Sequence, residues 1–97
     1  MANILLGPRD QFTASPTEVK VGGKVFFLIQ EEDQYTLLSA RCPHAGFTVE
    51  IEDEELVCPL HGWTFELHTG RCHNVPSARL QAYPVLEING QLYAELD

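Results

Sequence analysis

The stretch Thr17-Glu18-Val19-Lys20-Val21-Gly22-Gly23-Lys24-Val25-Phe26-Phe27-Leu28-Ile29-Gln30 reads as two strands around a tight turn. Thr17 to Val21 alternates in character. Gly22-Gly23 supplies the positive φ angles that a two-residue hairpin requires. Lys24 to Gln30 contains the run Val25-Phe26-Phe27-Leu28-Ile29, which is of strand length and predicts burial on both faces. Working outward, Glu31-Glu32-Asp33-Gln34 is a polar turn and Tyr35 to Ala40 the next strand. Toward the C-terminus, Tyr83 to Ile88 and Gln91 to Glu95 flank Asn89-Gly90, a favoured turn pair, and form a second hairpin. No helical period occurs anywhere, so the chain reads as all-β and antiparallel.

Between these sheet-forming ends lies a different segment, residues 41–79, rich in Cys, His, Pro and Gly. It reads as a site-bearing unit inserted into a β scaffold. The acidic run Glu50 to Glu55, broken only by Ile51, reads as a solvated hairpin inside that unit. A chain of 97 residues holds one small domain, and 44% hydrophobic with 21% charged residues is an ordinary globular composition. The net charge of −8 argues against nucleic acid and anionic membrane surfaces and favours a partner with a basic docking surface. No stretch is long and apolar enough to span a bilayer. The start Met1-Ala2-Asn3-Ile4-Leu5-Leu6-Gly7-Pro8-Arg9 has no basic leader, which points to a cytoplasmic location. There, three cysteines are better read as ligands or packing thiols than as a disulfide and a remainder.

Two motifs carry the chemistry: Cys42-Pro43-His44-Ala45-Gly46 and Cys58-Pro59-Leu60-His61-Gly62-Trp63. Each offers one thiolate and one imidazole, a Cys₂His₂ set suited to zinc or to an iron–sulfur centre. Proline after each Cys, with glycine directly after His61 and one residue beyond His44, makes stiff loops that can present backbone N–H groups to the sulfurs. Zinc modules usually pair Cys with Cys and His with His, unlike this alternating order.

The pattern Cys-x-His followed by Cys-x-x-His, with Pro59 and Gly62 in place, resembles the Rieske family. In that family both cysteines bind one iron and both histidines the other. Trp63-Thr64-Phe65-Glu66-Leu67-His68-Thr69-Gly70 resembles the strand and turn after the second motif, and Asn74-Val75-Pro76 resembles the proline loop over the cluster. The resemblance implies an antiparallel β-sandwich over residues 1–97, with residues 41–79 as its inserted cluster-binding subdomain. It implies one [2Fe–2S] cluster per chain, held by Cys42, His44, Cys58 and His61. The interval Ala45 to Val57 is a few residues shorter than is common, so the intervening hairpin is trimmed.

It also implies a function. Two thiolates neutralise an oxidised core of charge +2, so reduction takes the site from 0 to −1, which suits Rieske potentials of roughly −150 to +300 mV. The low end is implied here. Phe47 and Leu60 stand where high-potential members have a disulfide, and Trp63 and Phe65 stand where those members have hydroxyls. The implied role is a ferredoxin, not itself an enzyme, which takes one electron from a flavin-dependent reductase and passes it to a terminal oxygenase. The small Rieske subunit of an assimilatory nitrite reductase, working with its large subunit, is a second reading; a structural zinc module is a third. Outside the ligand set, His68 and His73 read as solvated loop residues, Cys72 as a small packing hydrophobe, and Trp63 as core or lid beside the second loop.

Overall fold

A computed structural model describes residues 2–43, 47–60, 62–75 and 77–96. The opening hairpin is present as β2 (Thr17–Val21) and β3 (Lys24–Glu31), with Gly22 at φ 58° and Gly23 at φ 78°. The next strand, β4 (Gln34–Ser39), pairs antiparallel with β3. The C-terminal hairpin joins β8 (Ala82–Ile88) to β9 (Gln91–Leu96) through Asn89 at φ 53° and Gly90 at φ 78°. Both turns place two successive residues in the left-handed region, as primed hairpin turns require.

A further strand, β1 (Ala2–Pro8), pairs with β9 and precedes a 3₁₀ turn at Arg9–Gln11. Sequence reasoning found no strand here, because Ile4-Leu5-Leu6 is an apolar run without alternation. Its alternation exists only in space: Ile4 and Leu6 are half-buried while Leu5 faces out. The six strands form one antiparallel sheet in the order β1-β9-β8-β4-β3-β2. Phe12, Phe26, Leu28, Leu37, Leu92 and Ala94 fill a core on its inner face, where Leu6 of β1 and Val19 of β2 also pack. Contributions from both edge strands mean that the sheet curls around this core.

The run in β3 is buried on both faces, as its composition predicts. Phe26, Phe27, Leu28 and Ile29 retain 5%, 2%, 2% and 2% exposure. Their directions alternate, as side chains on a strand must. Phe26 and Leu28 join the inner core, whereas Phe27 and Ile29 join a second core on the outer face. That second core combines Leu38 and Ala40 with Cys42, Val49, Leu56, Cys58, Phe65, Cys72 and Leu80. The inserted segment therefore sits on the outside of β3 and β4. It carries its own antiparallel sheet of β5 (Glu50–Glu52), β6 (Glu55–Val57) and β7 (Thr64–Phe65), in that order. The acidic run is thus a hairpin, with a two-residue turn at Asp53 (φ 48°) and Glu54 (φ 65°). This is the tightest common connection, which accounts for the short interval between the two motifs. Among the described residues there is no α-helix, and none that could cross a membrane.

Candidate metal centre

Cys42 and Cys58 are both fully buried, both free thiols, and members of the same outer core. Two loops of one design deliver them. The Cys42 N–H donates to the Phe47 carbonyl at 2.8 Å, and the Cys58 N–H donates to the Trp63 carbonyl at 2.8 Å. In each loop a cysteine amide thus closes on the residue five positions ahead. Just outside each closure lies a paired position, Arg41 with Thr48 and Val57 with Thr64. Each motif is therefore a hairpin tip that starts at its cysteine. In the second tip the Gly62 N–H also donates to the Cys58 carbonyl at 2.9 Å, with Gly62 at φ +73°. That left-handed conformation gives the glycine its place.

His44 and His61, expected as the imidazole ligands, lie outside the described residues, as do Ala45, Gly46 and Pro76. Among the described residues no three candidate metal-binding side chains come together. What the structure does bring together is the thiol pair. Two buried thiols with no disulfide, on loops closed in the same way, suit a group that takes one sulfur from each loop.

A third loop supports the second tip. His73 N–H donates to the Thr64 carbonyl at 2.8 Å, and Thr64 N–H donates to Asn74 Oδ1 at 2.9 Å. His73 Nδ1 lies 3.2 Å from Thr64 Oγ1. Cys72 is buried in the outer core as the small hydrophobe expected, and its sulfur accepts the Val75 N–H at 3.4 Å. Trp63 packs half-buried against the same core. His68 is exposed, as expected, but not merely solvated: its Nδ1 is 2.8 Å from Glu31 Oε2 at the end of β3.

The turn that carries His68 is organised by Glu66. Oε1 of Glu66 accepts the N–H of His68 at 3.1 Å, the N–H of Thr69 at 2.8 Å and the Thr69 hydroxyl at 2.9 Å. Partial desolvation works to raise this carboxyl. The Thr69 hydroxyl and amide, the charge of His68 and its amide outweigh that and hold it below the usual glutamate range. The turn closes when the Gly70 N–H reaches the Glu66 carbonyl at 2.8 Å, and the Leu80 N–H then donates to the Gly70 carbonyl at 2.8 Å. Neither Glu66 as turn organiser nor Asn74 as anchor of Thr64 was anticipated. The Glu66–Thr69 spacing and the Asn74 side chain were the available signals.

The acidic hairpin points away from the tips. Its turn lies beside Gln30, Leu67 and His68, and Glu55 is three strand residues, about 10 Å, from Cys58. At the tips themselves the exposed side chains include Phe47, 49% exposed, and Leu60, 52% exposed.

The sequence matches the family described as the Rieske [2Fe-2S] domain over residues 3–84. It is 31% identical over 90 residues to cholesterol 7-desaturase of Caenorhabditis elegans, covering 78% of this chain and 21% of that protein. It is 30% identical over 96 residues to the oxygenase component of 3-ketosteroid-9-alpha-monooxygenase of Rhodococcus rhodochrous, covering 88% of this chain and 24% of that one. The chain thus spans about a fifth to a quarter of the length of these curated relatives. Its fold resembles the ferredoxin of carbazole 1,9a-dioxygenase from Nocardioides aromaticivorans IC177, with a TM-score of 0.68, 23% identity and complete coverage of both chains.

Proposed function

This chain belongs to the Rieske [2Fe–2S] domain family, whose members bind one cluster and serve as electron-transfer modules, and from that premise we propose that it is the ferredoxin of an oxygenase system. In this role it takes one electron from a flavin-dependent reductase and delivers it to a terminal oxygenase, without catalysing a reaction of its own. The cluster supplies a reversible one-electron couple. The proposed ligands are Cys42 and Cys58 on one iron and His44 and His61 on the other.

The observation that carries this reading is the pair of matched hairpin tips, each burying one thiol in a shared core. Full burial keeps water from both sulfurs and lowers the local dielectric, which penalises extra negative charge on reduction. Phe65, buried in the same core, and Trp63 bring no hydroxyl to the sulfurs, which favours the low end of the potential range. Phe47 and Leu60, half-exposed on the two loops, offer apolar side chains suited to close, water-excluding approach by an electron acceptor. The identity with the oxygenase component named above, and the fold shared with a dioxygenase ferredoxin, support an oxygenase as that acceptor.

Spectroscopy tests the ligand set. Purified protein should be red-brown, with about two irons per chain and a Rieske-type EPR signal when reduced. His44→Cys and His61→Cys should each shift that signal or lose the cluster; an unchanged spectrum in both would remove these histidines from the site, and a colourless zinc protein would remove the cluster. For the partner, dithionite-reduced protein is mixed anaerobically with an oxidised oxygenase component and followed by stopped flow. Failure to reoxidise there, with rapid reoxidation by a nitrite reductase large subunit, would move the chain to the second role.

A further inference from the structure

The flank of the cluster-binding segment holds a groove of about 830 Å³, lined by Glu66, Thr69, Arg71, Cys72, His73, Ser77 and Arg79. Two of its cations stand opposite each other. Arg71 and Arg79 form an isolated antiparallel bridge, so their side chains emerge on one face with Cβ atoms about 5 Å apart. Like charges placed directly opposite are destabilising. The chain has only 6 Lys and Arg against 14 Asp and Glu, so acidic partners were abundant. Yet among the described residues neither guanidinium pairs with a carboxylate. Among the described residues the Arg79 guanidinium donates to the Thr69 carbonyl alone, at 3.5 Å. The carboxylate that lines the groove among the described residues, Glu66, has Oε1 committed to the Thr69 and His68 turn.

We propose that this groove is a docking site for a carboxylate-rich surface of a protein partner. Two forked guanidiniums with Ser77, Thr69 and His73 around them present the donors that carboxylates accept. The site lies opposite in sign to the rest of a −8 chain, so it orients a partner rather than merely attracting one. It is also close to the redox site. Cys72 lines the groove and packs in the same core as Cys42 and Cys58. The electron-carrier reading supplies only the kind of partner; the groove and its unpaired charges do not depend on it.

Fluorescence anisotropy with a dye-labelled octaglutamate peptide tests the site on holoprotein at low ionic strength. The overall field repels such a peptide, so binding requires a local cationic patch. Arg71→Gln/Arg79→Gln should weaken binding by at least about tenfold. Lys20→Gln/Lys24→Gln, which changes net charge equally on the β2–β3 hairpin, should leave it unchanged. Equal weakening by both pairs, or none by the arginine pair, overturns the proposal. Displacement by inorganic phosphate at low millimolar concentration makes the groove a small-anion site and also overturns it. So does sedimentation showing that the arginine pair holds two copies of this chain together. None of these readouts is a redox measurement, so failure here leaves the electron-carrier reading to its own tests.

Discussion

Replacing Gly70 by alanine should destabilise the protein more than the same change at Gly23, which shares its left-handed conformation. Gly70 sits at φ +76°, where an L side chain costs about 1–2 kcal/mol. An added Cβ would also stand 3.2 Å from Leu80 Cβ, 3.3 Å from Leu38 Cδ2 and 3.3 Å from the Leu80 carbonyl oxygen. None of these atoms is free to retreat. Leu38 and Leu80 are fully buried, and the Leu80 N–H is bonded to Gly70 itself. Overpacking of this kind costs about 1–3 kcal/mol, so the total is about 2–5 kcal/mol. For a domain of this size that lowers the melting temperature by on the order of 10–30 °C. Gly23→Ala is the control: its φ is +78°, but nothing lies within 4 Å of the added Cβ, so only the conformational cost of about 1–2 kcal/mol remains. Far-ultraviolet circular dichroism and visible bleaching of the cluster should be recorded on the same heating ramp, at one scan rate for all proteins. Because Gly70 joins the site-bearing segment to β4, bleaching should fall with the dichroism rather than separately. If Gly70→Ala melts within a few degrees of Gly23→Ala, the contacts with Leu38 and Leu80 do not constrain this position and the reasoning fails.

Cys72→Ser should keep iron content and potential close to wild type, since Cys72 lies in a core contact outside both tips; loss of iron from folded variant would make it a ligand. Phe65→Tyr should raise the potential by on the order of tens of millivolts, because a hydroxyl near cysteine sulfur stabilises the reduced state. Voltammetry on a variant with amides at Glu52, Asp53, Glu54 and Glu55 should show a smaller rise, as exposed charges beyond the tips are screened; the reverse ranking would defeat the hydrogen-bond explanation. Glu66 carries a lowered pKa in the folded state, so its contribution is present above the usual glutamate range and lost as pH falls through that range and below. Denaturation of Glu66→Gln should therefore show weaker loss of stability from pH 6 toward about pH 3 than wild type; parallel pH profiles would refute this.

Where local chemistry decides structure, the sequence was readable. Gly22-Gly23 and Asn89-Gly90 announce their hairpins because few other pairs tolerate two left-handed residues. Val25 to Ile29 announces a doubly buried strand because every position is apolar. β1 was hidden, since its partner β9 lies at the other end of the chain and only that pairing turns Leu5 outward. The same limit applies at the site. Cys42 and Cys58 are conspicuous as letters, but the identical closure of the two loops is a backbone property that no residue type encodes. Asp53-Glu54 is an unusual pair for a left-handed turn, and its tightness could be inferred only from the short interval between the motifs. The facing of Arg71 and Arg79 depends on a bridge across the loop that includes Cys72, eight positions apart in sequence.

The two-sided burial of β3 ties the fate of the newly made chain to its iron supply. Phe27, Ile29 and Leu38 are covered on the outer face by a segment whose own core includes Cys42 and Cys58, the two thiols proposed to hold iron. With the proposed cluster bound across both loops, that cover would gain a link that an iron-free chain lacks. Any loosening uncovers a contiguous apolar strip on a ready-made sheet, the kind of surface that chaperones seize and that seeds aggregation. Iron starvation would then appear first as lost soluble protein, before it appeared as a pool of intact but colourless carrier.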